Sequence, residues 1–321
     1  MPTTVATTPP ISVAMSVYNG GRFLREQLDS ILAQRGVELE LVAVDDASQD
    51  DSVAILREYT RRDRRVQVHV NAANLGPTRS FERAMTLCRG EYLAPSDQDD
   101  RWHPDKLATL LAALGDADLA YCDSEYIDDA GRLDGRRVSQ QRLMMAGHRP
   151  LAFVFANSVS GHAALLRRSL FEEARPLPPE LYHDWVLAML AAARGGIVYV
   201  DHPLVQFRRH PHAFSPMGQI STAVAHNRDL RWLRDRCRLL RVLAESRFEA
   251  NGGAQRLSRA LALAMAGPSR LPLLRCVWRE RAALAGGHGS PMLHAWRLQI
   301  RLLHKLHRAR SASKRTTAAG T

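Results

Sequence analysis

Long hydrophobic runs are absent from this sequence of 321 residues. No stretch approaches the roughly 18 uninterrupted apolar residues of a membrane-spanning helix. The first ten residues are rich in threonine and proline and contain neither basic residues nor an apolar core, so they match neither a signal peptide nor a membrane anchor. We therefore expect a cytoplasmic protein with a flexible tail at residues 1–10.

Cysteine is scarce, with 4 copies in the whole chain. They are far apart, offer no Cys-x-x-Cys pair and lie within apolar or helical patterns. This usage is typical of reduced core residues rather than of a disulfide framework or a zinc site. The four are Cys88, Cys122, Cys237 and Cys276.

Two phosphate-binding signatures are also missing. No Gly-x-Gly-x-x-Gly follows the first apolar segment, and no Gly-x-x-x-x-Gly-Lys-Ser/Thr occurs anywhere. These absences argue against a dinucleotide-dependent oxidoreductase and against a P-loop nucleotidase. The polar loops instead supply carboxylates and amides, which can accept hydrogen bonds from a base and a ribose.

The net charge of +11 is distributed unevenly. From Thr222 to the end there are 20 Lys and Arg against 5 Asp and Glu, so this part carries +15 and the preceding part −4. Helical periodicity predicts a basic helical segment at 220–310, followed by a flexible tail at 311–321. Such helices suit the anionic surface of the inner membrane, or equally pack on the rest of the protein with their arginines in water. The apolar stripes are Leu230, Leu233, Cys237, Leu240 and Ala244, and then Leu293, Trp296, Ile300 and Leu303.

The first two thirds of the chain alternate between strand and helix patterns. Buried strands are predicted at residues 11–17, 39–44, 66–70 and 91–94, and each is followed by a polar loop and an amphipathic helix. This order predicts an α/β fold with a mostly parallel sheet flanked by helices. All the polar loops then lie at one edge of the sheet, where ligands bind in such folds.

The alternation weakens in the second half. Residues 132–149 are polar and irregular, which predicts a mobile surface segment. Two short strands are predicted at 197–200 and 204–207.

One loop concentrates acidic residues. Asp97, Asp99 and Asp100 follow the fourth strand, and three carboxylates within four residues repel one another unless a cation lies among them. Oxygen ligands favour Mg²⁺ or Mn²⁺. The simpler alternative is a solvated acidic turn that caps the following helix.

Three motifs occur in an ordered series. They are Val44–Asp50, with two adjacent aspartates, Asn74–Gly76, and Ser96–Asp100. In this order and spacing they resemble the inverting family 2 glycosyltransferases of the GT-A fold, in particular the bacterial rhamnosyltransferase-like enzymes that build surface polysaccharides. The resemblance covers about two thirds of the chain and implies a GT-A domain at 11–215 with a C-terminal helical extension. Its nucleotide-sugar half would be 11–125 and its acceptor half 126–215.

The resemblance also implies residue roles. Asp46 would pair with the base beside Asp45, Asp97 would hold the ribose, and Asp99 would coordinate a Mg²⁺ or Mn²⁺ ion on the diphosphate, with His210 as a second ligand. Residues 208–210 resemble a segment that folds over the diphosphate, although a solvated turn is an equal alternative. The implied nucleotide-sugar contacts are Tyr18, Asn19, Asp45, Asp46, Asn74, Gly76, Arg79 and Asp97.

A further acidic residue, Asp184, directly precedes a run of strong helix formers. By the resemblance it would face the anomeric carbon and deprotonate the acceptor hydroxyl, and the helix dipole would keep it ionised. An aspartate here could instead serve only as a helix cap. The residues expected on the acceptor side are Trp102, Gly161, His162, His183 and Trp185.

These features predict a metal-dependent inverting glycosyltransferase. Its donor would be a UDP-, dTDP- or GDP-linked sugar, and its acceptor a hydroxyl of a glycan or of a lipid-linked sugar. A nucleotidyltransferase acting on a sugar phosphate is an alternative, but it would want a glycine-rich basic loop of which Asn19–Arg22 is a poor version. A nucleic-acid-binding protein is disfavoured because the basic residues lie almost entirely outside the α/β part and are not interleaved with exposed aromatics.

Overall fold

The computed structural model describes residues 10–210, 225–249, 251–285 and 290–318, with side chains as far as residue 309. It divides into two compact units. The first contains the described residues up to Gly147 together with Ser158–Ala191 and Gly195–His210. The second contains His148–Asn157, Ala192–Arg194 and the described residues after 224. The predicted tail at 1–10, except Pro10, and the predicted junction at 215–220 lie outside the described residues, so the predicted domain boundaries stay a prediction.

The first unit is built on one sheet. The strands are β1 (Ile11–Val17), β2 (Leu39–Asp45), β3 (Val66–Val70), β4 (Tyr92–Ser96), β5 (Arg101–Trp102), β6 (Leu119–Ile127), β7 (Leu133–Arg137), β8 (Ala164–Arg167) and β9 (Ile197–Arg208).

The sheet order is β3-β2-β1-β4-β8-β6-β9-β5, with β7 paired to β6. Its long pairings, β1 with β2, β2 with β3, β1 with β4 and β6 with β9, are parallel, while β8, β5 and β7 pair antiparallel. The predicted α/β fold is therefore confirmed. The parallel strands β1, β2 and β4 end at a common edge, which brings their acidic loops together.

Helices cover the sheet and form the C-terminal region. In the first unit they are α1 (Leu24–Leu32), α2 (Ser52–Arg62), α3 (Pro77–Leu87), α4 (Lys106–Leu114), α6 (Arg168–Ala174) and most of α7 (His183–Arg194). The second unit contains α5 (Pro150–Phe155), α8 (Ala225–Glu245), α9 (Gly253–Ala266), α10 (Leu271–Arg279), α11 (Arg281–Leu284) and α12 (Pro291–Ala318). Short 3₁₀ helices lie at Val138–Gln140 and Gly161–Ala163. None of the described helices is both long enough and apolar enough to cross a membrane.

Three local predictions were wrong. The two strands expected at 197–207 are one strand, β9, because register shifts opposite Cys122 and Asp123 let the chain stay paired through the intervening segment. The segment expected to be irregular contains β7, whose polar side chains are all exposed on one hairpin. The tail expected from residue 311 continues α12 to Ala318.

The apolar stripe predicted for α12 is not the side of the helix that packs on the protein. The residues buried there are Ala295, Leu298, Leu302 and Leu306, whereas Leu293, Trp296 and Ile300 are exposed. Apolar residues occur on more than one side of this helix, so periodicity alone could not select the packed side. In α8, by contrast, Leu233 and Leu240 are fully buried as predicted.

A buried glutamate, Glu40, joins three chain segments at the edge of the sheet opposite the acidic loops. Glu40 on β2 accepts hydrogen bonds from Ser12 Oγ of β1 (2.7 Å), Gln67 Nε2 of β3 (2.9 Å) and the Arg89 backbone N–H (2.7 Å). Burial opposes ionisation, but the hydrogen bonds from Ser12 and Arg89 outweigh it and lower the pKa of Glu40. The charged carboxylate therefore stabilises the order of the first strands.

We predict that Glu40→Ala lowers the free energy of unfolding by about 2–4 kcal/mol, because buried donors lose their acceptor. Urea unfolding followed by tryptophan fluorescence measures this. The half-buried Glu58→Ala is the control and should change the midpoint little, since Glu58 pairs only with the exposed arginines Arg25 and Arg62 at the surface. Equal midpoints for the two variants would contradict the proposed role of Glu40.

Candidate active site

Backbone hydrogen bonds fix the loops after β1 and β2 against each other. The Asp46 N–H donates to Val17 O (2.7 Å), and the Asn19 N–H donates to Ser48 Oγ (2.9 Å). Asn19 Oδ1 accepts from the Gln49 N–H (2.8 Å), and Asn19 has a left-handed backbone (φ 49°). Asn19 therefore shapes the loop with its polar atoms.

The loop after β4 is tied to the loop after β1 through Tyr18. Its backbone N–H donates to Gln98 Oε1 (2.7 Å), and Gln98 Nε2 donates to Tyr18 O (3.1 Å). The Tyr18 side chain is exposed. An aromatic surface of this kind is suited to stacking on a base.

The adjacent aspartates Asp45 and Asp46 differ in what their oxygens contact. Asp46 Oδ1 accepts from Asn71 Nδ2 (2.7 Å) and the Leu75 N–H (2.8 Å), and Oδ2 accepts from the Gly76 N–H (2.9 Å). Asp45 Oδ1 accepts one backbone N–H, while its Oδ2 has no hydrogen-bond partner among the described residues. Asp46 thus holds the Asn71–Gly76 loop, whereas Asp45 Oδ2 is a buried acceptor without a hydrogen-bond partner among the described residues.

The predicted residues Asn74, Gly76 and Arg79 lie in the loop after β3 and at the start of α3, next to Asp46. Asn74 Oδ1 accepts from the Gly76 N–H (3.2 Å), and Gly76 has φ 82°, a conformation that favours glycine. Arg79 is in the first turn of α3, where it is largely exposed and paired with Glu82 (2.9 Å). The sheet edge therefore gathers all the predicted nucleotide contacts that follow β1, β2 and β3.

The acidic loop forms a cluster with a histidine from the second half of the chain. His162 Nδ1 lies 3.6 Å from Asp97 Oδ2 and 3.8 Å from Asp100 Oδ2. One ligand atom from each of the three residues lies within 4.8 Å of the others. Asp100 Oδ1 accepts the Arg208 N–H (3.0 Å), whereas Oδ2 has no hydrogen-bond partner within the described part of the chain.

The pKa shifts in this cluster follow from burial and charge. Burial raises the pKa of Asp100 to about 7. Repulsion by Asp99 and Asp97 also raises this pKa, and the charge of His162 opposes the shift. Burial alone would raise the pKa of Asp97, but His162 outweighs it and the pKa is lowered. Burial likewise disfavours protonated His162, yet Asp100 and Asp97 raise its pKa. The cluster therefore attracts positive charge.

A divalent cation fits this set of donors. Two carboxylates supply the oxygens that Mg²⁺ and Mn²⁺ prefer, and an imidazole is compatible with Mn²⁺. The unpartnered, buried Oδ2 of Asp100 is the kind of acceptor that an ion would satisfy. The residues that converge are Asp97, Asp100 and His162. The predicted metal ligands Asp99 and His210 are not in this set, whereas His162, predicted for the acceptor side, is part of it.

Asp99 and His210 pair with each other instead. His210 Nε2 lies 2.9 Å from Asp99 Oδ2, and the His210 ring lies beside Phe23, with 5.1 Å between ring centroids. The two predicted metal ligands are therefore adjacent, as the prediction requires, but no third ligand joins them in the described residues.

Trp102 does not lie on an acceptor surface. It is on β5, only 4% exposed and packed in the main core, so this prediction was wrong. The buried Lys106 Nζ lies 3.0 Å from its ring centroid and donates to His162 O (2.5 Å). Burial lowers the pKa of Lys106 to about 7, although Asp100 and Asp97 oppose the shift. Trp102 and Lys106 thus support the acidic cluster from inside the protein.

Arg208 is a buried residue at the end of β9, 1% exposed, so neither the diphosphate contact nor the solvated turn describes it. Its Nε donates to Asp99 O (2.8 Å), and its Nη1 donates to the carbonyls of Asp128 and Asp129 (both 3.2 Å). Nη2 donates to Glu26 Oε2 (2.6 Å). Arg208 therefore connects the acidic loop to the turn after β6.

The catalytic candidate Asp184 is the second residue of α7, and the helix cap is Tyr182. Its Oδ2 accepts the Gly161 N–H (3.3 Å), and the next residue, Trp185, is half-buried. Burial raises the pKa of Asp184 despite His183 and the Gly161 N–H, so the helix N-terminus does not dominate as predicted. A raised pKa makes the carboxylate a stronger base.

Gly161 lies unusually close to α7. A Cβ added to it would lie 2.9 Å from His183 Nε2 and 3.7 Å from the Asp184 Cβ. His183 stacks on Phe81, with ring centroids 4.0 Å apart, and burial lowers its pKa. The Gly161–His162 segment therefore places Asp184 next to the acidic cluster.

Asp100 and Lys106 belong to this site but were not among the predicted site residues. Asp100 had a signal, since it belongs to the same acidic run as Asp97 and Asp99. Lys106 had no signal, because exposed lysines are the rule and its burial depends on contacts distant in sequence. Arg208 belonged to the predicted basic segment, but its burial had no signal for the same reason.

Relatives in sequence include several proteins named as glycosyltransferases. EpsH of Bacillus subtilis (strain 168) is 32% identical over 215 residues, which are 63% of this chain and 62% of EpsH. TuaG of the same organism, named for teichuronic acid biosynthesis, is 30% identical over 118 residues, 37% of this chain and 47% of TuaG. The matches therefore span less than two thirds of the length of these relatives.

Two solved structures share the fold. Residues 1–349 of TarS from S. aureus, in complex with UDP-GlcNAc, align with a TM-score of 0.62 at 15% identity, covering 96% of this chain and 92% of that one. The mannosyltransferase PcManGT from Pyrobaculum calidifontis, in complex with GDP-Man and Mn²⁺, aligns with a TM-score of 0.51 at 18% identity, covering 95% and 87%.

The family model described as glycosyl transferase family 2 matches residues 12–175, just over half of the chain. This span contains the loops after β1, β2, β3 and β4 and the Gly161–His162 segment. The chain belongs to glycosyl transferase family 2 and has the GT-A fold.

Proposed function

We propose that this glycosyltransferase is metal-dependent and inverting, and that it moves a sugar from a nucleotide-diphosphate sugar to a hydroxyl of a glycan or lipid-linked acceptor during synthesis of cell-surface polysaccharides. One observation carries the proposal: the Gly161–His162 segment contacts both the acidic cluster and Asp184. His162 Nδ1 lies 3.6 Å from Asp97, and the Gly161 N–H donates to Asp184 (3.3 Å). A cation site and a base next to each other suit sugar transfer from a diphosphate better than transfer of a nucleotidyl group.

The nucleotide is proposed to lie over the loops after β1 and β2. Tyr18 offers an exposed ring for the base, and Asp45 Oδ2 offers a hydrogen-bond acceptor. Asn19, Asp46, Asn74, Gly76 and Arg79 would shape or border this surface. The complexes of TarS with UDP-GlcNAc and of PcManGT with GDP-Man support a nucleotide-sugar donor through the shared fold. We propose a donor whose nucleotide is UDP, dTDP or GDP, with rhamnose among the candidate sugars.

Asp97 and Asp100, with His162, are proposed to hold Mg²⁺ or Mn²⁺. Asp99, which pairs with His210 and belongs to the same acidic run, is proposed to add to this site. The bound ion would neutralise negative charge on the departing diphosphate. Lys106 and Arg208 would keep the loop in place, since they hold His162 O and Asp99 O.

Asp184 is proposed as the general base. Its Oδ1 or Oδ2 would take the proton of the acceptor hydroxyl as that oxygen attacks the anomeric carbon from the face opposite the diphosphate, which inverts the configuration. His183 and Trp185 would border the acceptor. Lipid-linked acceptors lie at a membrane, so we include peripheral attachment to the inner membrane in the proposal.

We predict that nucleotide binding depends on a divalent ion. Calorimetry with Mn²⁺ should show that Asp100→Asn and Asp99→Asn each weaken the affinity for Mn²⁺, by about tenfold or more for Asp100, because a ligand to the ion loses its charge. The affinity for nucleoside diphosphate should fall with it. Asp116→Asn, which alters an exposed acid outside the site, is the control. Undiminished nucleotide binding in EDTA would contradict this part of the proposal.

The donor base can be identified by a panel. Thermal shift with UDP, dTDP, GDP and ADP, each with Mn²⁺, should give one clear stabilisation, because a ligand that binds the folded state raises Tm more, the higher its concentration is relative to its Kd. No stabilisation by any of the four would contradict a nucleotide-sugar donor.

Asp184→Asn should leave donor affinity nearly unchanged and slow transfer by about 10²–10⁴-fold, the range for loss of a general base. Single-turnover transfer and calorimetry measure the two effects separately. Transfer at the wild-type rate would make Asp184 a structural residue of the helix start, with His183 the next candidate for the base.

Gly161→Ala should also slow transfer, by about tenfold or more, because the added methyl group displaces His183 and with it Asp184. Nucleotide affinity should fall less than the rate. Ser160→Ala adds no atom at the same turn and serves as the control. If both variants transfer at equal rates, the close approach of Gly161 to α7 is unimportant for catalysis.

A further inference from the structure

Exposed apolar side chains concentrate in the second unit. Of 12 large apolar residues that are exposed in the described chain, 7 lie between residues 263 and 300. Single exposed apolar residues are ordinary, whereas a group of them on one surface marks an interaction site. These seven are Leu263, Leu271, Trp278, Met292, Leu293, Trp296 and Ile300.

Four of the seven form a row along α12. Leu293, Trp296 and Ile300 are spaced three and four residues apart, and Met292 lies beside them, so their side chains share one side of the helix. Their exposed fractions are between 44% and 57%. The helix packs with a different side, so this row is left for another partner.

A second row on α10 lies beside the first. Leu271 and Trp278 are seven residues apart, and both are one turn from Leu274. Gln299 Nε2 of α12 donates to Leu274 O (2.8 Å), and Gln299 itself is one turn from Trp296. Both rows therefore flank the same contact between α10 and α12. We define the α10–α12 face as Leu271, Trp278, Met292, Leu293, Trp296 and Ile300.

The charges around this face have one sign. Neither α10 nor α12 contains an acidic residue in its sequence. Arg275 lies between Leu271 and Trp278, and Arg297 lies between Trp296 and Ile300, and both arginines are exposed. The nearest acid in sequence, Glu280, already pairs with Arg256 (2.8 Å).

We propose that the α10–α12 face docks on an anionic lipid surface. The tryptophans suit the level of the headgroups, the aliphatic side chains suit the upper acyl region, and Arg275 and Arg297 suit lipid phosphates. A second copy of the chain fits less well, because a symmetric contact would bring the arginines of both copies together without acids to pair with them. The inference rests on the proposed function only for the reason why this protein would bind a membrane. Its structural evidence is independent of the active site.

The test is sedimentation of the full chain with vesicles of phosphatidylglycerol and phosphatidylcholine, and with vesicles of phosphatidylcholine alone. We expect binding to the anionic vesicles that weakens at high salt. Trp278→Ser combined with Trp296→Ser should reduce the partition about tenfold or more, because apolar area is lost. Leu133→Ser removes an equally exposed apolar residue from the first unit and should have no effect.

A second variant protects the test against misfolding. Arg275→Gln with Arg297→Gln leaves the apolar residues in place and should lower binding to anionic vesicles only. Unchanged partition of both double variants would overturn the proposal. The proposal would also be overturned if analytical ultracentrifugation showed a dimer that becomes a monomer in the tryptophan variant, because the face would then contact a second copy of the chain. Nucleotide binding by thermal shift, measured on the same samples, reports on the proposed sugar transfer separately.

Discussion

Repulsion among Asp97, Asp99 and Asp100 is the constraint on which the rest of the active site depends. Three carboxylates within four residues are unstable at the end of a buried strand unless each finds a positive or donating group. The fold supplies one for each: His162 for Asp97 and Asp100, His210 for Asp99, and the Arg208 N–H for Asp100. These partners come from segments 60 or more residues later in the sequence. The acidic loop is therefore formed only when the whole first unit is folded.

The same constraint explains the buried cations. Lys106 and Arg208 would each cost several kcal/mol in an apolar interior without partners. Lys106 donates to His162 O and lies over Trp102, and Arg208 bonds to three carbonyls and to Glu26. Arg208 fixes the backbone of the acidic loop at Asp99 O, and Lys106 fixes the backbone of His162, whose ring faces that loop. A cation arriving among the carboxylates would therefore meet ligands that are already positioned.

Sequence patterns predicted what depends on local order. Strands β1 and β3 have the predicted bounds, and the edge that gathers the acidic loops follows from parallel pairing. The predictions failed where burial is decided by distant contacts. Trp102 has the character of a ligand-binding residue in sequence, but Lys106 covers it in the core. Asp46 and Asp45 look equivalent in sequence, and only the return of the Asn71–Gly76 loop distinguishes them, because it uses the Asp46 oxygens.

The position of Asp184 links the two halves of the catalytic unit. The Gly161–His162 segment contacts the acidic cluster through the His162 ring and α7 through the Gly161 N–H. Because these contacts are made by consecutive residues, a shift of His162 toward or away from the carboxylates must move the N–H that orients Asp184. Any larger residue at 161 would separate the segment from His183. If the acidic cluster holds a cation and Asp184 is the base, as proposed, one peptide unit connects the two.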